Sequence, residues 1–388
     1  MKRRFILFII CILVQLITIF YAIVSDYDMD QHLSKKAFDT SKEIDFSNLN
    51  CSFRDAILEK SGIEVMGINQ SGSHKRALLT KCRIDVIKQL YGQSVDKVIT
   101  TFSTKFIIYG NEICNASCPP FLLIFVLSPP TNKEERQAIR QTWGSVVKQS
   151  KTAFNISAQI MFIVGRTRNK MASEMGLQEE SDMYKDIVHI DLIESRYNLT
   201  RKVITGLKWV KMYCGSVKYI LKSDDDTFIN VGRLSRYLLI NSKNNAQTIY
   251  GFVYEGGIVQ RHGKYKVREE EFPLSHFPPC TMGSAYILPV SIISDMLDMA
   301  EMLPYCPIED AFLTGILRTI LGFKIQHSSD FTYMGEMKVN RCRFYSKISV
   351  TNIDPICMHM LWNLTTQTEK TDCKLKALYN KDVCKIFE

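Results

Sequence analysis

Three consecutive carboxylates, Asp224, Asp225 and Asp226, are the residues whose type and spacing point most directly to chemistry. They follow the apolar run "YILKS", which begins at Tyr219. Like charges side by side repel one another, so a bound cation would explain why they are clustered. Carboxylate oxygens favour magnesium, manganese or calcium over zinc or copper. In an extended strand Asp224 and Asp226 point the same way, and a cation held there keeps open positions for the phosphates of a nucleotide.

The acidic run also has simpler explanations. A triple Asp arises by chance, as a solvated acidic turn. A haloacid-dehalogenase phosphatase motif needs Thr where Phe228 stands, and an EF-hand loop needs Gly at its sixth position, where Ile229 stands. The sequence contains neither a P-loop nor a G-x-G-x-x-G motif. On these residues by themselves, a cation site and a solvated turn both stay open.

Strand-like and helix-like segments alternate along the chain after Pro120. The apolar runs predict strands over 121–128, 158–165, 186–192, 219–223 and 248–254. Amphipathic spacing predicts helices over 132–144, 198–214 and 231–240. This alternation predicts an α/β fold with a mostly parallel sheet flanked by helices on both faces. Ligands of such sheets bind at the carboxyl ends of the strands, which is where the three aspartates lie.

The N-terminus has the pattern of a membrane anchor. Basic residues at 2–4 precede an uncharged apolar run over 5–24, which as a helix would span about 30 Å. A cleaved signal peptide is the alternative, but its apolar core is usually about 7–15 residues long. The positive-inside rule leaves the N-terminus in the cytosol. We therefore predict a cytosolic tail (1–4), a transmembrane signal-anchor (5–24), a lumenal stem (25–104) and a catalytic domain (105–388).

Modification motifs and cysteines agree with passage through the secretory pathway. Six N-x-[ST] sequons occur, at Asn50, Asn69, Asn115, Asn155, Asn198 and Asn363. Of the 12 cysteines, all but one follow the apolar run, so most are expected to pair in an oxidising lumen. No C-x-x-C pair suggests a zinc site. The net charge of +9 is spread thinly along the chain, which argues against nucleic acid as a partner.

Five motifs, in order over about residues 119–330, resemble those of the β-1,3-glycosyltransferase family (glycosyltransferase family 31), which includes β-1,3-galactosyltransferases and β-1,3-N-acetylglucosaminyltransferases. They are ERQAIRQTWG, DIVHIDLIESRYNLTRKVITGLKWVKMYC, LKSDDDTFIN, FPPCTMGSAYIL and IEDAFLTGIL. The resemblance implies a type II Golgi membrane enzyme with a GT-A fold. It implies an inverting, manganese-dependent transferase that uses UDP-galactose or UDP-N-acetylglucosamine. The acceptor would be a glycan on a glycoprotein or glycolipid.

The resemblance also implies roles for single residues. Asp226 would ligate the metal directly, with Asp224 as the second metal candidate, and Asp224 and Asp225 would give support through water or nucleotide contacts. Asp310 would be the general base, with Glu309 beside it, because an inverting transfer needs a carboxylate to take the acceptor's proton. The candidates for contacts to UDP or its surroundings are Ser128, Arg136, Arg140, Lys202 and Lys222.

These assignments have structural alternatives. Glu309 and Asp310 are residue types that also stabilise a helix N-terminus through its dipole. Arg136 and Arg140 are spaced to form a solvated helix face paired with neighbouring glutamates. For Lys202, the sequence does not distinguish a structural role from a contact to the ligand.

Three positions depart from the family pattern. Ala285 replaces the second glycine of a Gly-x-Gly-Tyr loop, which predicts a tighter backbone approach to donor or acceptor. Cys280 replaces an aromatic residue, which predicts either a disulfide or a reshaped acceptor site. The family's C-terminal histidine, about eleven residues before a Trp, corresponds to Thr351, and His359 lies in another register. Because Thr351 stands where the family has this histidine, we expect either weaker metal binding or a water molecule in place of the histidine.

Three functions remain compatible with the sequence. The first is an active glycosyltransferase. The second is a catalytically inactive protein on the same fold that binds a glycan or a partner enzyme, which the altered loop and missing histidine favour. The third is a lumenal phosphohydrolase, which would release UDP without dependence on an acceptor. The presence of both the aspartate run and the Glu309–Asp310 pair favours the first.

Overall fold

The computed structural model describes residues 46, 80–92, 99–114, 119–148, 156–168, 170–241, 246–332 and 346–366. The predicted tail and transmembrane span, and most of the predicted stem, lie outside these residues. Within the described residues, no helix is both long and apolar enough to cross a membrane.

Ten strands are described, and eight of them form one sheet. They are β1 (Phe106–Ile108), β2 (Leu122–Leu127), β3 (Ala158–Arg166), β4 (Ile187–Ile193), β5 (Tyr219–Asp224), β6 (Phe228–Ile229), β7 (Thr248–Tyr254), β8 (Cys280–Pro289), β9 (Lys324–His327) and β10 (Ser349–Val350). The α-helices are α1 (Lys81–Tyr91), α2 (Lys133–Gln141), α3 (Trp143–Lys148), α4 (Lys170–Tyr184), α5 (Leu199–Tyr213), α6 (Val231–Asn241), α7 (Ile293–Glu301), α8 (Arg318–Leu321) and α9 (Pro355–Thr366). A π-helical segment, Ala311–Leu317, leads into α8.

The strand order of the large sheet is β1-β4-β3-β2-β5-β8-β7-β9. The four strands β4, β3, β2 and β5 are parallel to one another, as predicted. β8 lies antiparallel to both β5 and β7. β3 and β5 lie on opposite sides of β2, so their crossover helices cover opposite faces of the sheet. The α/β class is therefore confirmed, with a parallel half and a mixed half.

The main core lies on one face of this sheet. Alternate residues of β2, such as Leu122, Ile124 and Val126, are fully buried there. The residues of α2 and α3 that pack in the same core include Ile139 and Trp143. Because successive side chains of a strand point to opposite faces, the other residues of β2 face α5 instead. Burial on both faces explains why β2 is a continuous apolar run.

The predicted strands agree with β2, β3, β4, β5 and β7 to within two residues at each end. The helix predicted over 132–144 is instead divided in two. α2 ends at Gln141, and the backbone of Thr142 leaves helical geometry while its hydroxyl donates to the carbonyl of Ala138 at 2.6 Å. Gly144, the expected end of that helix, lies inside α3. The sequence analysis missed β8, whose Gly, Ser and Pro content hides a buried strand.

Helix α1 lies before the boundary predicted at 104/105, and it packs against elements that follow this boundary. The apolar side of α1, including Val86, Ile87 and Leu90, is buried, and the Tyr91 ring contacts the Phe272 ring edge-on at 5.6 Å. The predicted boundary at 104/105 therefore cuts off a helix that packs against the domain.

Candidate active site

The carboxyl ends of β2 and β5 meet at one edge of the sheet. In the parallel register of these strands, Leu127 pairs with Asp224. Ser128 and Asp225, the next residues along each strand, are consequently neighbours. This is where a doubly wound sheet binds its ligands, because helices and loops leave a crevice there.

The three aspartates have different surroundings. The side chain of Asp224 is 38% exposed and accepts a hydrogen bond from Lys222 Nζ at 2.6 Å. Asp225 is buried and accepts from the Asn132 side-chain amide at 3.1 Å. Asp226 is half-buried, and its carbonyl accepts from the backbone N–H of Ile353 at 2.8 Å. Strand β5 ends at Asp224, so the alternation predicted across all three does not hold. Asp225 and Asp226 form a turn.

The triplet carries negative charge that the protein does not fully compensate. Burial raises the pKa of Asp225 to about 7, with hydrogen bonds from Ser128 and Asn132 opposing this and the neighbouring aspartates adding to it. Burial and the charge of Asp224 raise the pKa of Asp226 to about 6. A bound cation would reverse both shifts, because it favours the ionised carboxylates.

Lys222 lies at the centre of the site. Its ammonium donates to Asp224, donates to the carbonyl of Gly283 in a short hydrogen bond, and forms an ion pair with Glu309 at 3.6 Å. Burial lowers the pKa of Lys222, but the charges of Asp224 and Glu309 outweigh it and raise this pKa overall. Lys222 is buried and its ammonium is bonded to protein acceptors, so in this conformation it belongs to the surroundings of the candidate UDP site.

The strand register explains how this cluster forms. Lys222 and Asp224 are two residues apart on β5 and therefore share one face of the sheet. Tyr286 of β8 lies opposite Lys222 in the antiparallel pair. Its hydroxyl donates a short hydrogen bond to the Glu309 carboxylate. Two strands thus hold a glutamate that follows β8 by about twenty residues in sequence.

Glu309 and Asp310 are neighbours in sequence but have different environments. Glu309 is buried against Lys222 and Tyr286, and burial raises its pKa to about 7. Asp310 is half-buried, and its Oδ1 accepts from the backbone N–H of Ala311 at 2.9 Å, at the start of the π-helical segment. Burial raises the pKa of Asp310 as well. Asp310 thus caps a helix start, as the structural alternative proposed, and is also the member of the pair that solvent reaches.

Gly283 makes room for Asp310. A Cβ on Gly283 would lie 3.0 Å from Asp310 Oδ2. The glycine is therefore needed for close approach between β8 and the carboxylate. Its carbonyl bond to Lys222 fixes the backbone at the same position.

Arg136 and Arg140 form a buried ion-pair network. All the donors of Arg136 are used: Glu180 accepts two bonds at 2.8 and 2.7 Å, and Ser128, Pro129 and Pro130 accept the others. Arg140 bonds to Glu180 at 2.7 Å. The alternative prediction, that Arg136 and Arg140 lie on a solvated helix face, is therefore wrong.

Arg140 has further partners besides Glu180. It makes two bonds to Asp186 and lies 4.1 Å from the centre of the Tyr184 ring. Its side chain is 6% exposed. In this arrangement neither guanidinium can contact UDP directly, and both belong to the surroundings of the site.

Ser128 and Lys202 support the end of β2. The Lys202 ammonium donates to the Ser128 carbonyl at 3.0 Å and to Glu194 at 2.6 Å. Both residues are buried. Burial lowers the pKa of Lys202, opposed mainly by Glu194. A direct contact of the Ser128 side chain with uridine is not available in this conformation, since its hydroxyl is enclosed and bonded to Arg136.

Exposure divides the predicted site residues into two groups. Asp224, Asp226 and Asp310 reach solvent. The others are buried beneath them: Ser128, Arg136, Arg140, Lys202, Lys222, Asp225 and Glu309. The open group could contact ligands, and the buried group positions it.

Two of the three departures from the family pattern have a structural explanation. Ala285 pairs with Ser223 and is buried in the main core, so its methyl group does not narrow the approach to a ligand, contrary to expectation. Cys280 is a buried free thiol, so the disulfide alternative is wrong. It pairs with Tyr254 across β7 and β8.

Thr351 lies beside the aspartate turn, as the count from Trp362 suggested. Its hydroxyl is 3.3 Å from that of Thr227, which in turn is 3.4 Å from Asp226 Oδ1. Strand β10 brings this segment there by pairing with β6. A hydroxyl therefore occupies this place next to Asp226.

The donor set fits a cation that is shared with phosphate. In the described part of the chain, no three His, Cys, Asp or Glu side chains are grouped so that they could hold a metal by themselves. Magnesium-like ions, however, are often bound by one or two carboxylates together with substrate phosphates. Asp226 and Asp224 supply such carboxylates. Burial and the charge of Asp224 raise the pKa of Asp226, and a bound cation would oppose both effects.

Sequence reasoning missed four residues that hold the site together, namely Asn132, Glu180, Glu194 and Tyr286. Tyr286 was quoted within a motif but given no role. Glu180 lies in α4, a helix that was not predicted. Each contacts a predicted residue from at least eight positions away in sequence, so local spacing gave no indication of it.

A cavity of about 550 Å³ lies elsewhere, beside β1 and α5. Its lining consists of residues 102–106, Asp191, Thr205, Lys208 and Met212. None of the predicted site residues belongs to it. The carboxylate chemistry, rather than cavity size, therefore locates the candidate active site.

A mixed α/β sheet with carboxylates at its parallel strand ends can hold a nucleotide together with a divalent cation. Residues 134–329 match the galactosyltransferase family model. The chain is 30% identical over 248 residues to β-1,3-galactosyltransferase 5 of Pan paniscus, covering 63% of this chain and 80% of that protein. It is 28% identical over 285 residues to β-1,3-galactosyltransferase 1 of Mus musculus, covering 73% and 85%.

The chain therefore belongs to the galactosyltransferase family, in its β-1,3-galactosyltransferase-like group, and is a hexosyltransferase. Among solved structures, the WbbM bifunctional glycosyltransferase matches with a TM-score of 0.32 and 8% identity, covering 55% of this chain and 40% of that one. A likeness of that degree is too distant to support an inference about this chain.

Proposed function

We propose that this protein is a type II Golgi membrane glycosyltransferase. It moves galactose, or N-acetylglucosamine, from a UDP-sugar to a glycan acceptor on a glycoprotein or glycolipid. The linkage formed is β-1,3, with inversion at the anomeric carbon. Family membership supports the transferase class, and the names of the relatives favour galactose and the β-1,3 linkage.

The observation that carries the proposal is the set of three solvent-accessible carboxylates above a buried scaffold. Asp224 and Asp226 lie at the end of β5, and Asp310 lies at the start of the π-helical segment. Lys222 connects them, because it bonds to Asp224 and to the Gly283 carbonyl, next to Asp310. One acidic position for the donor diphosphate and a second for the acceptor hydroxyl are the groups that an inverting transfer requires.

In this mechanism Asp310 is the general base. Its carboxylate takes the proton of the acceptor hydroxyl as that oxygen attacks the anomeric carbon of the donor sugar. The bond between that carbon and the UDP oxygen breaks, and its electron pair leaves with UDP. The products are the inverted glycoside, UDP and protonated Asp310. Burial raises the pKa of Asp310, which makes this carboxylate a stronger base.

A divalent cation such as Mn²⁺ would be held by Asp226 and Asp224, and it would supply charge that stabilises the departing diphosphate. Glu309 keeps Asp310 in place from the buried side. Membrane anchoring and the Golgi lumen are proposed from the basic residues at 2–4, the apolar run over 5–24 and the sequons.

The test is acceptor-dependent release of UDP by the full chain in detergent. UDP-galactose, UDP-N-acetylglucosamine and UDP-glucose are each supplied with manganese or EDTA, with and without β-galactoside and N-acetylhexosamine acceptors. Asp310→Ala is expected to lower kcat by about 10²–10⁴-fold. Asp226→Ala is expected to weaken UDP binding in manganese. Asp85→Ala, an exposed aspartate on α1, is the control.

The outcomes separate the three functions. Acceptor-stimulated UDP release that requires Asp310 supports the transferase, and the anomeric coupling and linkage of the product test inversion and the β-1,3 bond. UDP release at the same rate without acceptor would indicate a phosphohydrolase. Binding of UDP without release, across all donors and acceptors, would favour the inactive binding protein.

A further inference from the structure

Lys222 is a buried cation whose donors are all directed at the protein. A lysine ammonium has three N–H groups. Asp224 and the Gly283 carbonyl accept from two of them, and Glu309 lies 3.6 Å from the nitrogen. The side chain is 2% exposed. The burial of the ammonium closes it to a ligand, so a role in catalysis must act through these three partners.

The partners come from three separate elements. Asp224 ends β5, Gly283 lies within β8, and Glu309 precedes the π-helical segment. Each lies next to a group with a proposed function. Asp224 neighbours the Asp226 turn, and Glu309 is adjacent to Asp310 in sequence. Gly283 lies so close to Asp310 that a Cβ on it would be 3.0 Å from Asp310 Oδ2. One charge is therefore in contact with both the donor half and the acceptor half of the site.

Electrostatics explains why a cation is needed at this point. Asp224, Glu309 and Asp310 gather three carboxylates around a largely buried volume, where like charges repel strongly. The ammonium supplies compensating charge that does not depend on ligand. Its removal would leave Asp224 and Glu309 repelling each other and Gly283 without its anchoring bond.

We infer that Lys222 is a positioning residue that couples the two halves of the active site. It holds Asp224 in place for the donor, and it holds Asp310 in place for the acceptor through Gly283 and Glu309. This inference rests on the proposed function and adds a residue that touches neither substrate.

The experiment compares Lys222→Met with the full wild-type chain in two assays. The first is UDP affinity, measured by calorimetry in manganese and again in EDTA. The second is steady-state kinetics with the donor and acceptor identified for the wild type. Lys218→Met, at an exposed lysine just before β5, is the matched control.

We expect Lys222→Met to weaken UDP binding at least about tenfold in manganese and not to change it in EDTA, because Asp224 is displaced and no phosphate contact is lost. We expect kcat to fall about 10²-fold, as is typical when a catalytic group is misplaced by about 1 Å. Lys218→Met is expected to match the wild type in both assays. An equal loss of UDP affinity with and without manganese would mean that Lys222 contacts phosphate, which would overturn the inference.

Two further variants separate positioning from stability. Glu309→Gln should lower kcat while keeping the manganese-dependent UDP affinity, because it disturbs only the acceptor half. The double variant Lys222→Met/Glu309→Gln removes both charges of this ion pair. Its melting temperature should be higher than that of Lys222→Met alone, but its kcat should stay low. Recovery of kcat together with stability would show a purely structural role and overturn the inference. If Lys222→Met does not fold, Glu309→Gln still provides a test: an unchanged kcat in that variant would overturn the inference.

The assays also distinguish this inference from the proposed function. If the wild type transfers no sugar to any acceptor, the proposed function fails. UDP binding in manganese and EDTA still tests the donor half of the inference in that case. If Lys222→Met then bound UDP in manganese as tightly as the wild type, the inference would be overturned.

Discussion

At the scale of single residues, contacts rather than residue type separate catalytic candidates from supporting ones. Glu309 and Asp310 are adjacent carboxylates, yet Glu309 is enclosed by Tyr286 and Lys222 while Asp310 reaches solvent. A base must meet its substrate, so in the proposed transfer the accessible Asp310 is the expected proton acceptor. Glu309 is instead held by Tyr286 and Lys222.

Gly283→Ala tests how closely β8 approaches the base. The new methyl group would lie 3.0 Å from Asp310 Oδ2, a distance that forces the carboxylate to move by a few tenths of an ångström. We expect kcat to fall about tenfold, which corresponds to about 1.4 kcal/mol of transition-state stabilisation. The KM for the donor should change less than kcat. Kinetics at saturating donor and acceptor measure both.

Gly176→Ala is the matched control for that variant. Gly176 lies in α4, and a Cβ there would meet no atom within 4 Å. Alanine is the better helix former, so the variant should be as active as the wild type and as stable or slightly more so. If Gly283→Ala kept full kcat, the close contact with Asp310 would have no catalytic importance.

At the scale of elements, a buried ion-pair network fixes the end of β2. Arg136 of α2 bonds to Glu180 of α4 and to the carbonyls that follow β2. Arg140 connects the same glutamate to Asp186, just before β4. Two helices and two strands therefore keep the end of β2, beside Asp225, in one arrangement.

Glu180→Gln is expected to destabilise the protein by about 3–5 kcal/mol, because it leaves two buried guanidinium groups without their shared carboxylate. Burial would raise the pKa of Glu180, but Arg136 and Arg140 lower it below its ordinary value. A lowered pKa contributes stability that is present above the unfolded value of about 4.3 and is lost as pH falls through the folded value.

The wild-type melting temperature should therefore drop more steeply than that of Glu180→Gln when the pH is lowered from about 5.5 to 3.5. Thermal unfolding across that range measures it. Glu179→Gln, an exposed neighbour on the same helix, is the control and should follow the wild type. Parallel pH curves for wild type and Glu180→Gln would contradict the assigned network.

At the scale of the whole molecule, the catalytic domain includes residues that the sequence placed in a stem. The backbone N–H groups of Ile99 and Thr100 donate to the carbonyl of Glu301, and the Thr100 hydroxyl donates to that of Leu303 at 2.7 Å. Helix α1 packs near α8, which follows the segment that begins at Asp310. The chain before residue 105 thus packs against segments on both sides of Asp310.

A chain that begins at residue 105 should be much less stable than one that begins at residue 80, where α1 is capped. Removing α1 exposes the surface that Ile87 and Leu90 cover, and each such side chain contributes about 1.5–3 kcal/mol when fully buried. Secreted yield and melting temperature compare the two chains. Equal melting temperatures would show that α1 is dispensable and that the original boundary is adequate.

Asn363 tests the proposed lumenal orientation. It lies exposed on α9 within the sequon Asn363-Leu364-Thr365, whereas Asn198 is half-buried and its amide donates to the carbonyl of Ile193 at 3.0 Å. We expect Asn363→Gln to migrate faster than the wild type on a denaturing gel, because it lacks one N-linked glycan. Treatment of both proteins with peptide N-glycosidase should abolish this difference. The absence of any glycosidase-sensitive shift in the wild type would contradict passage through the lumen.

The sequence by itself determined the family, the parallel strands and the position of the aspartate run. These follow from local features: buried strands are continuous apolar runs, and the motifs lie in short contiguous segments. The tertiary structure decided which candidates face solvent, because that depends on register between distant strands. The pairing of Lys222 with Tyr286 buries the lysine against Glu309, and the pairing of Ser223 with Ala285 turns that methyl group into the core. The sequence does not encode such contacts as a local period, so only the folded chain revealed Lys222 as a bridge and α1 as part of the domain.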